Sequence, residues 1–595
     1  MTPTPARSPV RRSRSTGAER PRRPRLTAAL PLVALLLFVR PPLAVALGAQ
    51  EPAAAPEIAV GATEHMVAMR DGVRLATNAF LPEGEGPWPT IVTRTPYGKD
   101  GRFGARSSSY TGAGYAYVVQ DTRGKFRSEG VYRPFETDRE DGYDTIEWIA
   151  AQPWSNGKVG ISGASAMGIT SNYAAAANPP HLVAAFVVVA PHSMMNESTF
   201  IGGVFKEADV GNWMRRQGAG DQVAERKRTV LLDDYWLGRD LPFLLDRVDI
   251  PIYNLGGWYD LFSNGNVSNF VTLQTRGAEG ARGNQKLFMG PFGHGELAGD
   301  LEYPEGSGLM QAFERELRWF DYWLKGIDNG IMDEPAVEYY QMAAARKGSP
   351  SPKNGYRTSD VWPPPSEPVS YYLTPSKTLS ASLSTMLSTL LPPANDASTT
   401  YSFDPANPVP TVGGANLTLP LGPRDQREIE KREDYLRFET APLTEDVTVA
   451  GRVKVELWVS SDAPDTDFMV KLVDIYPDGY EALLLDGALR TRYRHGRRPQ
   501  DVAMMEPGKP EQLVIDLWST ANVFEKGHKI ALHVTSSNFP RFEVNPNTGH
   551  APGTEEAAPR AARNTIHHDA AHPSALILPV LVGGGAREVS TAGSR

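Results

Sequence analysis

The sequence contains no cysteine. That absence excludes a disulfide framework, a thiolate metal site, an iron–sulfur cluster, a lipid-modified N-terminal cysteine and a cysteine nucleophile. An excess of basic charge is also missing. With 61 Lys+Arg against 69 Asp+Glu the formal net charge is −8, so no broad cationic surface awaits nucleic-acid phosphates and no nucleic-acid partner is expected. Long apolar runs are lacking too, since the greasy stretch at residues 26–39 falls short of the ~20 residues that a bilayer crossing takes. What is present is a chain of 595 residues, 41% hydrophobic, with 55 Gly and 50 Pro spread along it. Such a composition belongs to folded globular domains, about two to four of them at ~100–200 residues each.

The average charge hides an asymmetry. Arg7, Arg11, Arg12, Arg14, Arg20, Arg22, Arg23 and Arg25, with only Glu19 among them, precede the apolar stretch, and Ala44-Val45-Ala46 follows it with the small-x-small pattern of a signal-peptidase site. Residues 1–46 therefore read as a signal peptide cleaved after Ala46, with Ala49 as the alternative site, and 47–61 as an Ala/Pro spacer. Pro24 and Arg25 fit a twin-arginine pattern poorly, and a plain basic tail is the rival reading. The expectation is export, to a periplasm or the medium, with no stable membrane anchor after signal removal. Removing 1–46 takes away nine arginines and one glutamate, which moves the chain from −8 to −16.

Along the rest of the chain the hydrophobic period switches repeatedly. Residues 66–80 alternate around Arg70-Asp71-Gly72 and read as a hairpin. Strand-length apolar runs at 90–93, 115–120, 159–162 and 183–190 alternate with helical patterns at 138–151 and 166–177, as in a mostly parallel sheet covered by helices on both faces. Residues 193–248 lose the strand pattern and read as an inserted helical cap. Strands resume at 250–255 and 286–289, followed by a helix at 310–325. After the Pro-rich stretch 362–368 the pattern becomes all-β, with period-two runs at 452–457 and 529–534, which implies a sandwich or jelly roll. The expected organisation is an α/β core at 62–192 and 249–350, the cap at 193–248, and a β domain at 366–582. Residues 380–422 read as long loops and the arginine-rich 490–498 as a solvated loop.

Chemistry concentrates at Gly163-Ala164-Ser165-Ala166-Met167-Gly168, between a predicted strand and a predicted helix. A serine held in a sharp strand-to-helix turn needs small neighbours, and it gains helix N-terminal N–H groups that can stabilise an oxyanion. Met167 occupies the place of the usual second glycine, so a small-residue turn packing helix on sheet remains an equal reading of the motif alone. Order along the chain favours the catalytic reading. Asp260 follows the strand at 252–255 and His294 the strand at 287–289, so acid and histidine come after the serine at strand carboxyl ends, as an α/β-hydrolase triad requires.

With these residues in place the sequence resembles the cocaine-esterase/Xaa-Pro dipeptidyl-peptidase family (CocE/NonD hydrolases), which includes α-amino-acid ester hydrolases and glutaryl-cephalosporin acylases. The similarity runs over residues 66–580, through Arg94-Thr95-Pro96-Tyr97, Gln120-Asp121-Thr122-Arg123-Gly124, the serine turn, Gly257-Trp258-Tyr259-Asp260, Gly290-Pro291-Phe292-Gly293-His294 and His572-Pro573-Ser574. It implies an α/β-hydrolase core with an inserted helical cap and a C-terminal all-β jelly roll. It also implies Ser165 as nucleophile, His294 as general base and acid, Asp260 as its orienting group, and an oxyanion hole made by the Ala166 N–H and the Tyr97 hydroxyl. Asp121 and Arg123 are expected to form a structural ion pair under the site.

Leu261, Phe262 and Ser263 follow Asp260, where the α-amino-acid ester hydrolases carry acidic residues that bind a substrate ammonium. An ammonium without an anionic partner is costly to desolvate, so a free α-amine on the acyl group is disfavoured. Trp258, Tyr259 and Phe262 suggest instead a neutral aromatic acyl pocket, with core packing as the equal alternative. His567-His568-Asp569 and His572 read as a solvated loop rather than a metal site. The expectation is a metal-free and cofactor-free serine hydrolase acting on a small-molecule ester or amide through an acyl-enzyme. The alternatives are an acylase or Xaa-Pro dipeptidyl-peptidase on the same triad, or a non-catalytic exported binding protein that uses the jelly roll.

Overall fold

The computed structural model describes residues 59–304, 312–381, 397–554, 558–582 and 587–588, so the expected signal peptide and most of the spacer lie outside the described residues. The hairpin comes first, β1 (Thr63–Ala68) against β2 (Arg74–Phe80). Then follow β3 (Trp88–Thr95), α1 (Arg102–Gly112), β4 (Ala116–Asp121), α2 (Asp138–Ala150), β5 (Ser155–Ala164), α3 (Ala166–Ala177) and β6 (Leu182–Val188). Beyond the insertion lie β7 (Ile252–Tyr259), α4 (Ser263–Arg276), β8 (Lys286–Gly293), α5 (Ala312–Lys325), β9 (Val337–Gln341) and β10 (Gly355–Ser359).

These strands form one mixed sheet in the order β1-β2-β4-β3-β5-β6-β7-β8-β9-β10, with the pair Arg587–Glu588 at its far edge. From β4 to β9 neighbours run parallel. The runs of Val and Ala in β4 and β6 are largely buried because helices cover both faces. Close helix packing is built on small residues: a Cβ at Gly142 of α2 would lie 2.8 Å from the Cβ of Ala174 in α3. The sheet extends past the expected end at residue 350, since β10 is one of its strands.

The C-terminal region is β-rich. Val447–Ser461 pairs with Glu511–Phe524, Ala575–Leu581 and Ala562–His567 in one sheet, and a second joins Leu436–Glu439, Lys529–Thr535, Asp467–Ile475 and Glu481–Arg490. Their alternating apolar residues, Val455 and Leu457 from one sheet and Val470, Leu472 and Leu532 from the other, fill a shared core.

Several expectations need correction. Ser398–Phe403, inside the stretch read as loops, is a strand paired with Ala562–His567. The segment 193–248 is not purely helical. Its short helical turns enclose a small hairpin, Phe200–Ile201 with Val204–Phe205, turned by Gly202 and Gly203 at φ 54° and 82°. Gly-Gly between apolar pairs is a hairpin signal that the helical reading passed over. Of the arginines at 490–498 only Arg498 is exposed, so the stretch is not the solvated loop expected. Arg490 pairs with Asp467 and Glu543 and Arg492 with Asp465, all five side chains being largely buried, and the backbone N–H of Arg490 donates to the Gly202 carbonyl at 3.0 Å. Buried charges of this kind persist only when paired. His568 is buried as well, with its Nε2 2.8 Å from Thr399 Oγ1.

Candidate active site

Ser165 stands between β5 and α3 at φ 59°, ψ −123°, a left-handed conformation that a non-glycine residue adopts only when its surroundings enforce it. Enforcement is local. The Ser165 N–H donates to the Val188 carbonyl at 2.9 Å, and its own carbonyl accepts the Ile169 N–H at 2.9 Å. A Cβ at Gly163 would come within 2.4 Å of the Met167 backbone, and one at Gly168 within 2.8 Å of Ala190 Cβ. The small residues are therefore needed at 163 and 168, while Met167 packs into the core and is free to be large. Gly163→Val should consequently lower stability by about 1–3 kcal/mol through overpacking and displace the serine, which thermal unfolding and hydrolysis assays would both register.

Asp260 follows β7 in a fully buried turn, where its Oδ1 accepts the Phe262 N–H at 2.7 Å. His294 follows β8. Glycines bring these two strand ends together, because a Cβ at Gly257 would meet the Phe292 carbonyl oxygen at 2.2 Å and one at Gly293 the Tyr259 carbonyl oxygen at 2.8 Å. As a result His294 Nδ1 lies 2.7 Å from Asp260 Oδ2 and His294 Nε2 lies 2.8 Å from Ser165 Oγ. The carboxylate fixes the tautomer, with the proton on Nδ1 and the lone pair of Nε2 facing the serine hydroxyl.

Tyr97 projects from the loop after β3, its own N–H bound to Thr95 Oγ1 at 3.0 Å. Its hydroxyl is near enough to Ser165 to interact with it, and burial raises its pKa, so the phenol keeps its proton at neutral pH. Ala166 is the first residue of α3, where a backbone N–H has no partner within the helix. Ser165, Ala166, Tyr97, Asp260 and His294 thus come together.

The three aromatics suggested for the acyl pocket divide. Phe262 lines the cavity that opens on Ser165 and meets the His294 ring edge-on at 5.8 Å between centroids. Trp258 and Tyr259 do not line it. Both are about 1% exposed, the Trp258 indole donating to the Tyr340 carbonyl at 2.7 Å and the Tyr259 hydroxyl lying 3.2 Å from that of Tyr303. They still belong to β7, whose every residue is buried, so they serve the core rather than the mouth.

The remaining walls come from places the sequence reading missed: Phe135, Ile169, Met194, Trp213 and Leu417. Leu417 belongs to the C-terminal region, on a strap secured by its own N–H to Asp209 Oδ1 at 2.8 Å, by Thr418 Oγ1 to the Ala208 carbonyl at 3.0 Å and by Ala298 N–H to the Leu421 carbonyl at 2.8 Å. Asp209 lines the pocket, yet its charge is met inside the protein by Lys206, 3.8 Å away and itself fully buried. Burial pushes the Lys206 ammonium down to about 8, against the opposing pull of Asp209. Asp121 and Arg123 do not pair. Arg123 bridges Asp71 and Asp141 at 2.7 and 2.6 Å, while Asp121 accepts the Lys99 N–H at 2.7 Å and is pushed up to about 7 by burial.

The X-Pro dipeptidyl-peptidase (S15 family) profile matches residues 71–231 and 219–296, and the X-Pro dipeptidyl-peptidase C-terminal non-catalytic domain matches 329–577. The cocaine esterase of Rhodococcus sp. (strain MB1 Bresler) is 32% identical over 590 residues, covering 87% of this chain and 98% of that protein. Among solved structures, an aminopeptidase from the marine sediment archaeon Thaumarchaeota archaeon superposes with a TM-score of 0.73 at 25% identity, over 90% of this chain and 99% of its own. An α-amino acid ester hydrolase shares the fold with a TM-score of 0.73 at 24% identity, over 90% of this chain and all of its own.

Proposed function

The chain belongs to the cocaine-esterase/X-Pro dipeptidyl-peptidase (S15) family of hydrolases, and we propose that it is an exported serine esterase working through an acyl-enzyme on Ser165, His294 and Asp260. One observation carries the proposal: a serine in a strained turn, 2.8 Å from a histidine that a fully buried aspartate holds at 2.7 Å. As Ser165 Oγ adds to the ester carbonyl carbon, its proton passes to His294 Nε2. The tetrahedral oxyanion takes hydrogen bonds from the Tyr97 hydroxyl and the Ala166 N–H. When the C–O bond breaks, His294 gives the proton to the leaving alkoxide, and Asp260 stabilises the imidazolium in between. Water then repeats the sequence on the acyl-Ser165 ester and releases the acid.

Esters are favoured over Xaa-Pro amides by the charge of the pocket. Its walls are largely apolar, and Asp209, the carboxylate lining it, already has the Leu417 N–H on one oxygen and the Lys206 ammonium 3.8 Å from the other, so a substrate ammonium would meet a carboxylate whose charge is already opposed. A panel of aryl esters, acyl amides and Xaa-Pro amides tests this, and a higher kcat/KM for the Xaa-Pro amides would replace the esterase reading with a peptidase one. A fluorophosphonate probe should label the folded enzyme; failure to label would leave the non-catalytic binding protein. Tyr97→Phe should lower kcat by ~10²-fold if its hydroxyl is an oxyanion donor, with KM little changed. Export rests on the N-terminal sequence, Arg-rich and then apolar before Ala44-Val45-Ala46. N-terminal sequencing of the protein recovered outside the cytoplasm should read from Leu47, and a retained Met1 would refute it.

A further inference from the structure

The Tyr97 hydroxyl has a second neighbour that the mechanism above leaves unused. The indole Nε1–H of Trp213 donates to the Tyr97 oxygen at 2.9 Å. An indole N–H can only donate, so at this contact the phenol oxygen can only accept. Its single proton is then left for another acceptor, and Ser165, which lines the same pocket as Trp213, is near enough to interact with the phenol. Trp213 sits in the short helix Asn212–Arg216 of the inserted segment, 116 residues along the chain from Tyr97. Its ring plane is fixed by stacking on Phe135, with centroids 5.5 Å apart and planes 12° apart. Phe135 has the left-handed φ of 64°, a strained value for a bulky residue, and it lines the same pocket. Three segments distant in sequence thus converge on the direction of one N–H bond.

We propose that Trp213 is a positioning residue of the oxyanion hole: its indole N–H holds the Tyr97 oxygen so that the Tyr97 proton is committed to the oxyanion forming at Ser165. The proposal rests on the roles given above to Ser165 and Tyr97. Two physical effects follow. A hydroxyl rotor that would otherwise sample several directions is fixed before substrate arrives, so no reorientation is needed in the transition state. A phenol that accepts a hydrogen bond also becomes a stronger donor, because the two bonds polarise each other. The inserted segment then does more than wall the pocket: docking it completes the oxyanion hole.

A double-mutant cycle separates this role from simple wall packing. Trp213→Phe keeps a ring, though a smaller one, for Phe135 to stack on and removes the N–H donor, and the cycle cancels the loss of ring volume common to both backgrounds. With p-nitrophenyl acetate, whose acyl group is too small to lean on the wall, Trp213→Phe should lower kcat about tenfold and leave KM within about twofold. In the Tyr97→Phe background the same substitution should cost almost nothing, because there is no hydroxyl left to orient. An equal loss in both backgrounds, or an unchanged rate in the single variant, would overturn the proposal. Should Trp213→Phe fail to fold, the Tyr97→Phe protein labelled with ¹⁵N-tryptophan supplies the answer: one indole N–H resonance should move upfield relative to wild type, and a spectrum without such movement refutes the contact. A folded wild type that no fluorophosphonate labels would defeat the Ser165 reading itself, whereas additive losses in an enzyme that does label defeat the Trp213 role alone.

Discussion

Ser165→Ala should lower kcat on an aryl ester by about 10⁶-fold and abolish fluorophosphonate labelling, while the folded protein is retained. The size follows from the reaction proposed, because without Oγ no acyl-enzyme can form. What is left is the catalysis that Tyr97 and the Ala166 N–H give to direct attack by water, ~10³–10⁴-fold over the uncatalysed rate. Stability should change little. The hydroxyl accounts for one hydrogen bond, to His294, and alanine shares with serine the cost of a positive φ. Circular dichroism and thermal unfolding should therefore match wild type, which separates chemistry from misfolding. Residual labelling in the variant would mean that another nucleophile does the work.

Asp260→Asn should lower kcat by ~10⁴-fold with the geometry preserved. Asp260 carries two bonds at once, Oδ1 receiving the Phe262 N–H at 2.7 Å and Oδ2 facing His294 Nδ1 at 2.7 Å. An asparagine can satisfy the Phe262 N–H only by turning its carbonyl oxygen toward it, which aims the amide NH₂ at His294. The imidazole must then accept at Nδ1 and carry its proton on Nε2, the tautomer that cannot take a proton from Ser165. Loss is expected in kcat rather than in KM, since the fully buried Asp260 does not contact the ester. A fall of tenfold or less would show that Asp260 only shapes the turn, and that the base has another orienting group.

How far the site could be read from sequence depended on how local each determinant is. The serine turn was legible because its small residues lie within six positions: Gly163 is fixed by Met167 inside that span, and Gly168 by Ala190 just past the neighbouring strand β6. Asp260 and His294 were legible by topology, as polar residues just past two apolar strands of one parallel sheet. The pocket was not. Trp258 and Tyr259 look like mouth residues only if β7 stops at Leu255, and the strand instead continues through Tyr259 and buries both. Arg490 and Arg492 look like solvated charge until Asp465, Asp467 and Glu543 meet them in the fold. No period or spacing in the chain links Trp213 to Tyr97 or Leu417 to Asp209.

The sequence by itself determined the alternation of strands and helices, the later all-β character, the order of serine, aspartate and histidine, and the absence of sulfur chemistry. These are properties of composition and of short-range period, set by how each residue's side chain meets its own turn or pleat. Only the tertiary structure decided which aromatics line the pocket beside Ser165, that Lys206 lies beside Asp209, and that a tryptophan from the inserted segment bonds to Tyr97. Such choices are made where loops from distant parts of the chain pack together, and packing is a property of volumes in space that the one-dimensional pattern does not carry.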